Sequence, residues 1–241
     1  MNKIVIEGLS IGYRYKTIAE KLSATIGCGA MTCLIGRNGL GKSTLLRTLA
    51  GLQPALKGCV TLEIEGREHK LAETDQATLA RLVSVVLTDK VDVSNMTAAE
   101  VVAMGRMPYT NFFGKLKAHD KDIVGQSLDM VGMSAFAKRD ISTMSDGERQ
   151  KIMIARTLAQ QTPIIILDEP TAFLDYTSKV ETMRLLASLA QDMGKIVMAS
   201  THDIDIALRT NCRLLTIERQ HGLREMGKEE LRKAVENIQF P

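Results

Sequence analysis

Apolar positions along this chain fall into short dense runs separated by longer amphipathic stretches. Met31 to Ile35, Leu82 to Leu87 and Ile164 to Leu167 are nearly continuous apolar runs, as in strands covered on both faces. Lys195 to Ala199 and Arg213 to Ile217 predict two further strands. Cys59 to Ile64 alternates like a strand with one face in water, and Lys3 to Glu7 and Leu9 to Tyr13 predict short β structure at the start. Helical spacing fills the gaps. Ser43 to Gly51 predicts a helix, and Val180, Met183, Leu186 and Leu189 share one helical face. From about Thr97 to Ala159 the pattern is helical, and Gly222 to Pro241 is charged and helical-looking. Strands alternating with helices predict an α/β fold with a mainly parallel sheet covered on both sides. The long helical block interrupts that alternation, so it reads as a subdomain inserted into the sheet domain.

The stretch after the first buried run changes the picture most. Gly36-Arg37-Asn38-Gly39-Leu40-Gly41-Lys42-Ser43-Thr44 fits the phosphate loop G-x-x-x-x-G-K-[ST], between a predicted strand and a predicted helix, the context that motif requires. Glycines let the backbone fold tightly and aim its N–H groups at phosphate oxygens, and the helix start adds positive dipole there. Lys42 would reach the β- and γ-phosphates and the Ser43 hydroxyl would ligate Mg²⁺.

Ile164 to Leu167 runs into Asp168-Glu169-Pro170, which puts two carboxylates at the sheet's carboxyl edge, where ligands of open α/β sheets bind. Asp168 suits the outer shell of Mg²⁺ near Ser43, and Glu169 could polarise a water for in-line attack on the γ-phosphate. Ser145 reads as a helix N-cap with Glu148 as its capping-box partner, and with Gly147 it makes a second anion-binding helix start.

Composition narrows the class. Apolar residues make up 45% and charged residues 24% of 241, ordinary for a globular protein, and a net charge of +3 is too small to argue for nucleic acid. No stretch is long and apolar enough to cross a bilayer, and the first residues lack a secretory leader, so the chain is expected in the cytoplasm. Cys28, Cys33, Cys59 and Cys212 form no C-x-x-C pair and are expected to be buried free thiols.

In this order the motifs resemble those of the ATP-binding subunit of an ABC transporter, over nearly the whole chain. Gly36 to Thr44 matches the family's Walker A, with Gly36, Asn38, Gly39, Gly41, Lys42, Ser43 and Thr44 around the phosphates. Ser145-Asp146-Gly147-Glu148 matches the signature, with Asp146 where glycine is commoner, and Ile164 to Glu169 matches Walker B plus the catalytic glutamate. Phe173-Leu174-Asp175 matches the D-loop, Ser200-Thr201-His202-Asp203 the switch histidine, and Tyr13 the aromatic that stacks on adenine.

The resemblance implies a P-loop NTPase of RecA-like fold, with an N-terminal antiparallel β subdomain and an inserted α-helical subdomain. It implies one nucleotide-binding domain: a core of about 1–87 and 162–220, a helical subdomain of about 88–161, and a short tail at 222–241. Lys42, Glu169 and His202 would be catalytic; Ser43, Asp168 and Thr88 would sit at the metal. ATP and Mg²⁺ would be bound by a head-to-tail homodimer, each ATP lying between Gly36–Thr44 of one copy and Ser145–Gly147 of the other. Separate permease subunits would hold the cassettes at the cytoplasmic face of the membrane, with an extracytoplasmic binding protein in the same system.

Two features refine this. Thr88, followed by Asp89 and Lys90, stands where the family has a glutamine at Mg²⁺ and the attacking water, and is too short to span that gap directly. Met104 to Tyr109 with Phe112-Phe113-Gly114, together with Ser145 to Gln150, resembles the cassettes that import iron–siderophore, haem or cobalamin, a looser match than the ATP-site motifs. The stretch follows Thr88, where a permease would dock, and Arg106, Lys115 and Lys117 would face acidic loops, headgroups or solvent. An exporter or other-substrate importer, and a soluble non-transport ABC ATPase, are the alternatives. A repair ATPase is disfavoured because the span from Thr48 to Ser145 holds no sustained heptads. A GTPase is disfavoured because Asp89-Lys90-Val91-Asp92 has aspartate for the guanine-reading asparagine.

Overall fold

The computed structural model describes residues 1–88, 95–111, 114–218 and 222–236. Asp89 to Asp92, Phe112, Phe113 and the last five residues of the tail, singled out from the sequence, lie outside the described residues. Strands β1 (Lys3–Tyr13) and β2 (Lys16–Gly27) open the chain, followed by β3 (Met31–Ile35) and helix α1 (Lys42–Leu49). Then come β4 (Lys57–Ile64), β5 (Arg67–Lys70), α2 (Gln76–Leu82) and β6 (Val83–Val86). The helical block holds α3 (Ala98–Ala103), α4 (Ala118–Met130) and α5 (Asp146–Ala159), with a 3-10 turn over Met104–Tyr109. Then follow β7 (Ile164–Leu167), α6 (Tyr176–Asp192), β8 (Ile196–Thr201), α7 (Ile204–Arg209), β9 (Cys212–Glu218), β10 (Gly222–Met226) and α8 (Lys228–Glu236).

Two sheets form. An antiparallel sheet has the order β2-β1-β4-β5, and the larger sheet has the order β10-β9-β3-β8-β7-β6. In the larger sheet β9, β3, β8, β7 and β6 are mutually parallel and only β10 runs against its neighbour. Alternation along each strand divides the core. Leu34, Ile164, Ile166, Ile196 and Met198 face α1 and the antiparallel sheet, packing on Leu45, Leu46, Ile4, Ile6 and Leu9. Cys33, Ile35, Ile165, Leu167, Val197 and Ala199 face the other way, onto Met183 and Leu186 of α6 and Ile152, Ile154 and Leu158 of α5. The runs Met31 to Ile35 and Ile164 to Leu167 therefore are central strands buried on both faces, as their pattern predicts, whereas the run at Leu82 to Leu87 supplies the edge strand β6, with Val85 only partly buried.

Several local expectations change. The two short N-terminal strands are one, β1, with register shifts between Ile6, Leu9, Ile11 and Gly12; a bulge bends a strand without ending it. Leu82 belongs to the end of α2, not to the strand that begins at Val83. Residues 222–226 are strand β10, not helix, because Leu223 and Met226 pair with Ile217 and Leu214 of β9. The cross-strand partner outweighs the local charge pattern there. On α6 the buried stripe is Thr182, Met183, Leu186, Leu189 and Ala190, and Val180 is only partly covered. All four cysteines are free, but Cys59 is exposed and only Cys33 is fully buried.

Arg106 is not at the surface: it is 3% exposed. Its guanidinium donates to Asp120 Oδ1 at 3.0 Å, the Ala159 carbonyl at 2.8 Å and Gln161 Oε1 at 2.9 Å, and lies over the Tyr109 ring. A buried arginine is stable only when its forked donors are met this way. It fastens the 3-10 turn to the ends of α4 and α5.

Candidate functional site

Strand register assembles the site. Ile35 at the end of β3 pairs with Thr201 of β8, and Leu34 pairs with Ser200. Leu167 at the end of β7 pairs with Ala199. Gly36, Asp168 and Ser200 to His202 therefore emerge together at the carboxyl edge of three adjacent parallel strands. Here β3 turns into the phosphate loop, with Gly36, Gly39 and Gly41 at φ 148, 87 and 97, conformations that residues with a Cβ rarely adopt. Gly41 caps α1 and a Cβ there would meet Ile18 Cγ2 at 2.7 Å.

Lys42 opens α1 and is buried, its Nζ donating to the carbonyls of Gly36 at 2.8 Å and Arg37 at 3.1 Å. Burial pushes this ammonium below the usual lysine range, against the pull of the Glu169 and Asp168 carboxylates. Ser43 Oγ donates to Asp168 Oδ1 at 3.0 Å, across 125 residues of sequence. Thr44 is buried behind it and Asn38 is exposed at the loop's tip. Asp168 is 2% exposed, and Ser200 Oγ donates to the same Oδ1 at 2.7 Å. Glu169 has φ 48, and its Oε2 lies 3.1 Å from His202 Nδ1.

Thr88 follows β6 on the far side of β7, and its hydroxyl donates to the Asp168 carbonyl at 2.9 Å. It thus pins the backbone of the strand end, rather than pointing its proton at the carboxylate. Tyr13 ends β1 and is half exposed, opposite Lys16 of β2. Lys16, Thr17, Ile18, Ala19, Gly39 and Leu40 line a cleft of about 510 Å³ between β2 and the phosphate loop, room beside the loop for the rest of a nucleotide.

The signature helix is built as its pattern predicts. Ser145 caps α5, with both capping-box bonds present, and Arg139 braces Glu148 at 3.2 Å. The Ser145 amide first, and then Arg139, holds the Glu148 carboxyl below its ordinary range. Ser145 is exposed, and among the described hydrogen bonds none joins Ser145–Gly147 to Gly36–Thr44. Gly147 instead lies against Ser178, so the signature adjoins Asp175, which caps α6 by accepting from Ser178 N and Oγ.

Two residues of the site carry no signal as single positions. Ser200 stands between Asp168 and Glu169, and its only mark is a small polar residue ending an apolar strand. Asp203 accepts from Thr171 Oγ1 at 3.2 Å and Lys179 Nζ at 2.9 Å, drawing the loop after Glu169 and the start of α6 to the His202 turn.

A phosphate loop facing two strand-end carboxylates defines a P-loop nucleoside triphosphatase. Residues 19–172 match the ABC transporter family model, and the chain belongs to that family, as an ATP-binding ATPase cassette. It is 45% identical over 204 residues to the ABC transporter ATP-binding protein MJ0873 of Methanocaldococcus jannaschii, covering 84% of this chain and 69% of that one. It is 34% identical over 225 residues to the iron(3+)-hydroxamate import ATP-binding protein FhuC of Bacillus subtilis, covering 93% and 82%. Its fold matches the dimeric post-hydrolysis structure of the cassette MJ0796 bound to ADP and Pi, with a TM-score of 0.77 and 25% identity over 93% of this chain and 98% of that one.

Proposed function

We propose that this chain is the ATP-hydrolysing subunit of an importer for iron–siderophore, haem or cobalamin, working as a head-to-tail homodimer on separate permease subunits. The observation that carries the hydrolytic part is the convergence of Lys42, Ser43, Asp168, Glu169 and His202 at one sheet edge. Relatives named for iron(3+)-hydroxamate import support the cargo class, and an extracytoplasmic binding protein would deliver that cargo. Among the described residues no helix is long and apolar enough to cross a membrane. In this reading the permease subunits hold the cassettes at the cytoplasmic face of the membrane.

The residues act as follows. Backbone N–H groups of Gly36 to Thr44 and the start of α1 bind the triphosphate, and Lys42 exchanges its two carbonyl partners for phosphate oxygens. The cleft beside β2 takes the ribose and base, with Tyr13 at its edge as the stacking surface. Glu169 accepts a proton from the attacking water, and His202, 3.1 Å from it, stands where the γ-phosphate would be contacted. The Ser43 hydroxyl and the buried Asp168 carboxylate are hard oxygen donors. Among the described residues no cluster of three or more His, Cys, Asp or Glu could hold a metal by itself. The Ser43 and Asp168 oxygens fit Mg²⁺, which binds through one or two protein oxygens plus phosphates and water. Ser43 and Asp168 would hold Mg²⁺, which would supply positive charge to neutralise the phosphates.

The second ATP contact comes from the partner copy. Exposed Ser145 and half-buried Gly147 open α5 next to Asp175, where the partner's ATP would meet them. A nucleotide bridging the two copies binds the closed dimer better than the open one and shifts that population. The test is turnover by Glu169→Gln. Losing the water's proton acceptor should lower kcat by about 10²–10⁴-fold, the usual contribution of a positioned base. A wild-type rate would remove Glu169 from the mechanism.

A further inference from the structure

Ser200 stands apart from the residues proposed above to bind phosphate, metal or water, yet it is the fully buried fifth residue of β8. Its neighbours on the strand, Met198 and Ala199, are equally buried and apolar. A hydroxyl carries one proton to give and two lone pairs to receive with. Ser200 Oγ gives its proton to Asp168 Oδ1 at 2.7 Å and accepts the Glu169 N–H at 2.9 Å. It therefore ties the side chain of one carboxylate residue to the backbone of the next. Glu169 sits at φ 48, in the left-handed region, where a residue with a Cβ persists only if its surroundings hold it.

We propose that Ser200 is a positioning residue for ATP hydrolysis, setting the direction in which the Glu169 carboxylate leaves the end of β7. The inference rests on the reading that Glu169 polarises the attacking water. Asp168 has a second donor in Ser43, at 3.0 Å, so loss of the Ser200 hydroxyl leaves that carboxylate partnered. The Glu169 N–H loses its bond. The effect should fall on the chemical step and spare the phosphate loop, whose residues Ser200 does not bond.

Three variants test it: Ser200→Ala, Ser200→Thr, which keeps a hydroxyl, and Glu169→Gln. Displacement of a catalytic group by about 1 Å can cost about 100-fold, so Ser200→Ala should lower kcat by about 10–100-fold with the KM for ATP within about threefold of wild type. Ser200→Thr should restore most of that loss. Amide hydrogen exchange of the nucleotide-free protein gives a readout independent of turnover. Exchange at Glu169 should quicken in Ser200→Ala and return toward wild type in Ser200→Thr. A wild-type kcat in Ser200→Ala beside an inactive Glu169→Gln overturns the role of Ser200 alone. A wild-type kcat in Glu169→Gln removes the underlying reading instead. Equal losses in the alanine and threonine variants, or a loss of ATP affinity and folded content together, assign Ser200 a packing role and also overturn the proposal.

Discussion

Replacing Gly41 by alanine tests how tightly the phosphate loop is built into the fold. Gly41 adopts φ 97, and a Cβ added there would sit 2.7 Å from Ile18 Cγ2 and 3.5 Å from Ile11 Cδ1. Ile18 of β2 and Ile11 of β1 belong to the antiparallel sheet beside the loop, and Ile11 is fully buried. The left-handed backbone costs a residue with a Cβ about 1–2 kcal/mol. Overpacking against Ile18 adds about 1–3 kcal/mol, while Ile11 stays at ordinary contact distance. The sum is about 2–5 kcal/mol, or a fall in Tm of about 4–20 °C for a domain of this size. Gly39→Ala is the control: its φ is 87, but its Cβ would meet nothing within 4 Å, so only the backbone cost applies. Urea unfolding of both variants without nucleotide measures the difference, which is the contact cost alone. Equal destabilisation by the two would refute the claim that β2 buttresses the loop through Ile18.

Other expectations follow from the same geometry. Thr88→Gln removes the bond to the Asp168 carbonyl, costing about 1 kcal/mol of stability, and gives the site a longer side chain. ATP turnover should then rise or saturate at lower Mg²⁺, and an unchanged rate across a Mg²⁺ titration would contradict that. Ile166→Ala, in a strand buried on both faces, should cost about 2–5 kcal/mol in denaturant unfolding; a loss below about 1 kcal/mol would mean the two-sided core is misassigned. The Asp120 carboxyl is held below its ordinary range by the Lys117 amide first and then by Arg106. Its ionised form is favoured by folding, so this contribution is present above the ordinary carboxylate range and is lost as pH falls through the lowered folded value. Asp120→Asn should therefore flatten the acid limb of a stability–pH curve, and an unaltered limb would count against the pairing.

The central strands and the phosphate loop were legible because their chemistry is local. A run such as Ile164 to Leu167 has only one comfortable place, between two layers. The loop's glycines and Lys42-Ser43 require a strand before and a helix after. The cap at Ser145 was equally readable, since Glu148 lies three residues on. What escaped depends on distant partners. β5 has no apolar face and exists through pairing with β4, and β10 reads as charged tail until β9 is beside it. Arg106 reads as a surface cation because its acceptors, Asp120, Ala159 and Gln161, lie 14 to 55 residues away. Ser200 is the same case within the site, since its role appears only once register sets it opposite the step from Leu167 to Asp168.

The central claim is that two copies of this chain hold ATP between the phosphate loop of one and the signature helix of the other. Light scattering with bound-nucleotide counting on Glu169→Gln tests it most directly. In Mg²⁺ and ATP the variant should be a dimer carrying two ATP per two chains, and Ser145→Arg in the same background should return it to monomer. An ATP-saturated monomer, or a dimer of unchanged occupancy after Ser145→Arg, would contradict the account.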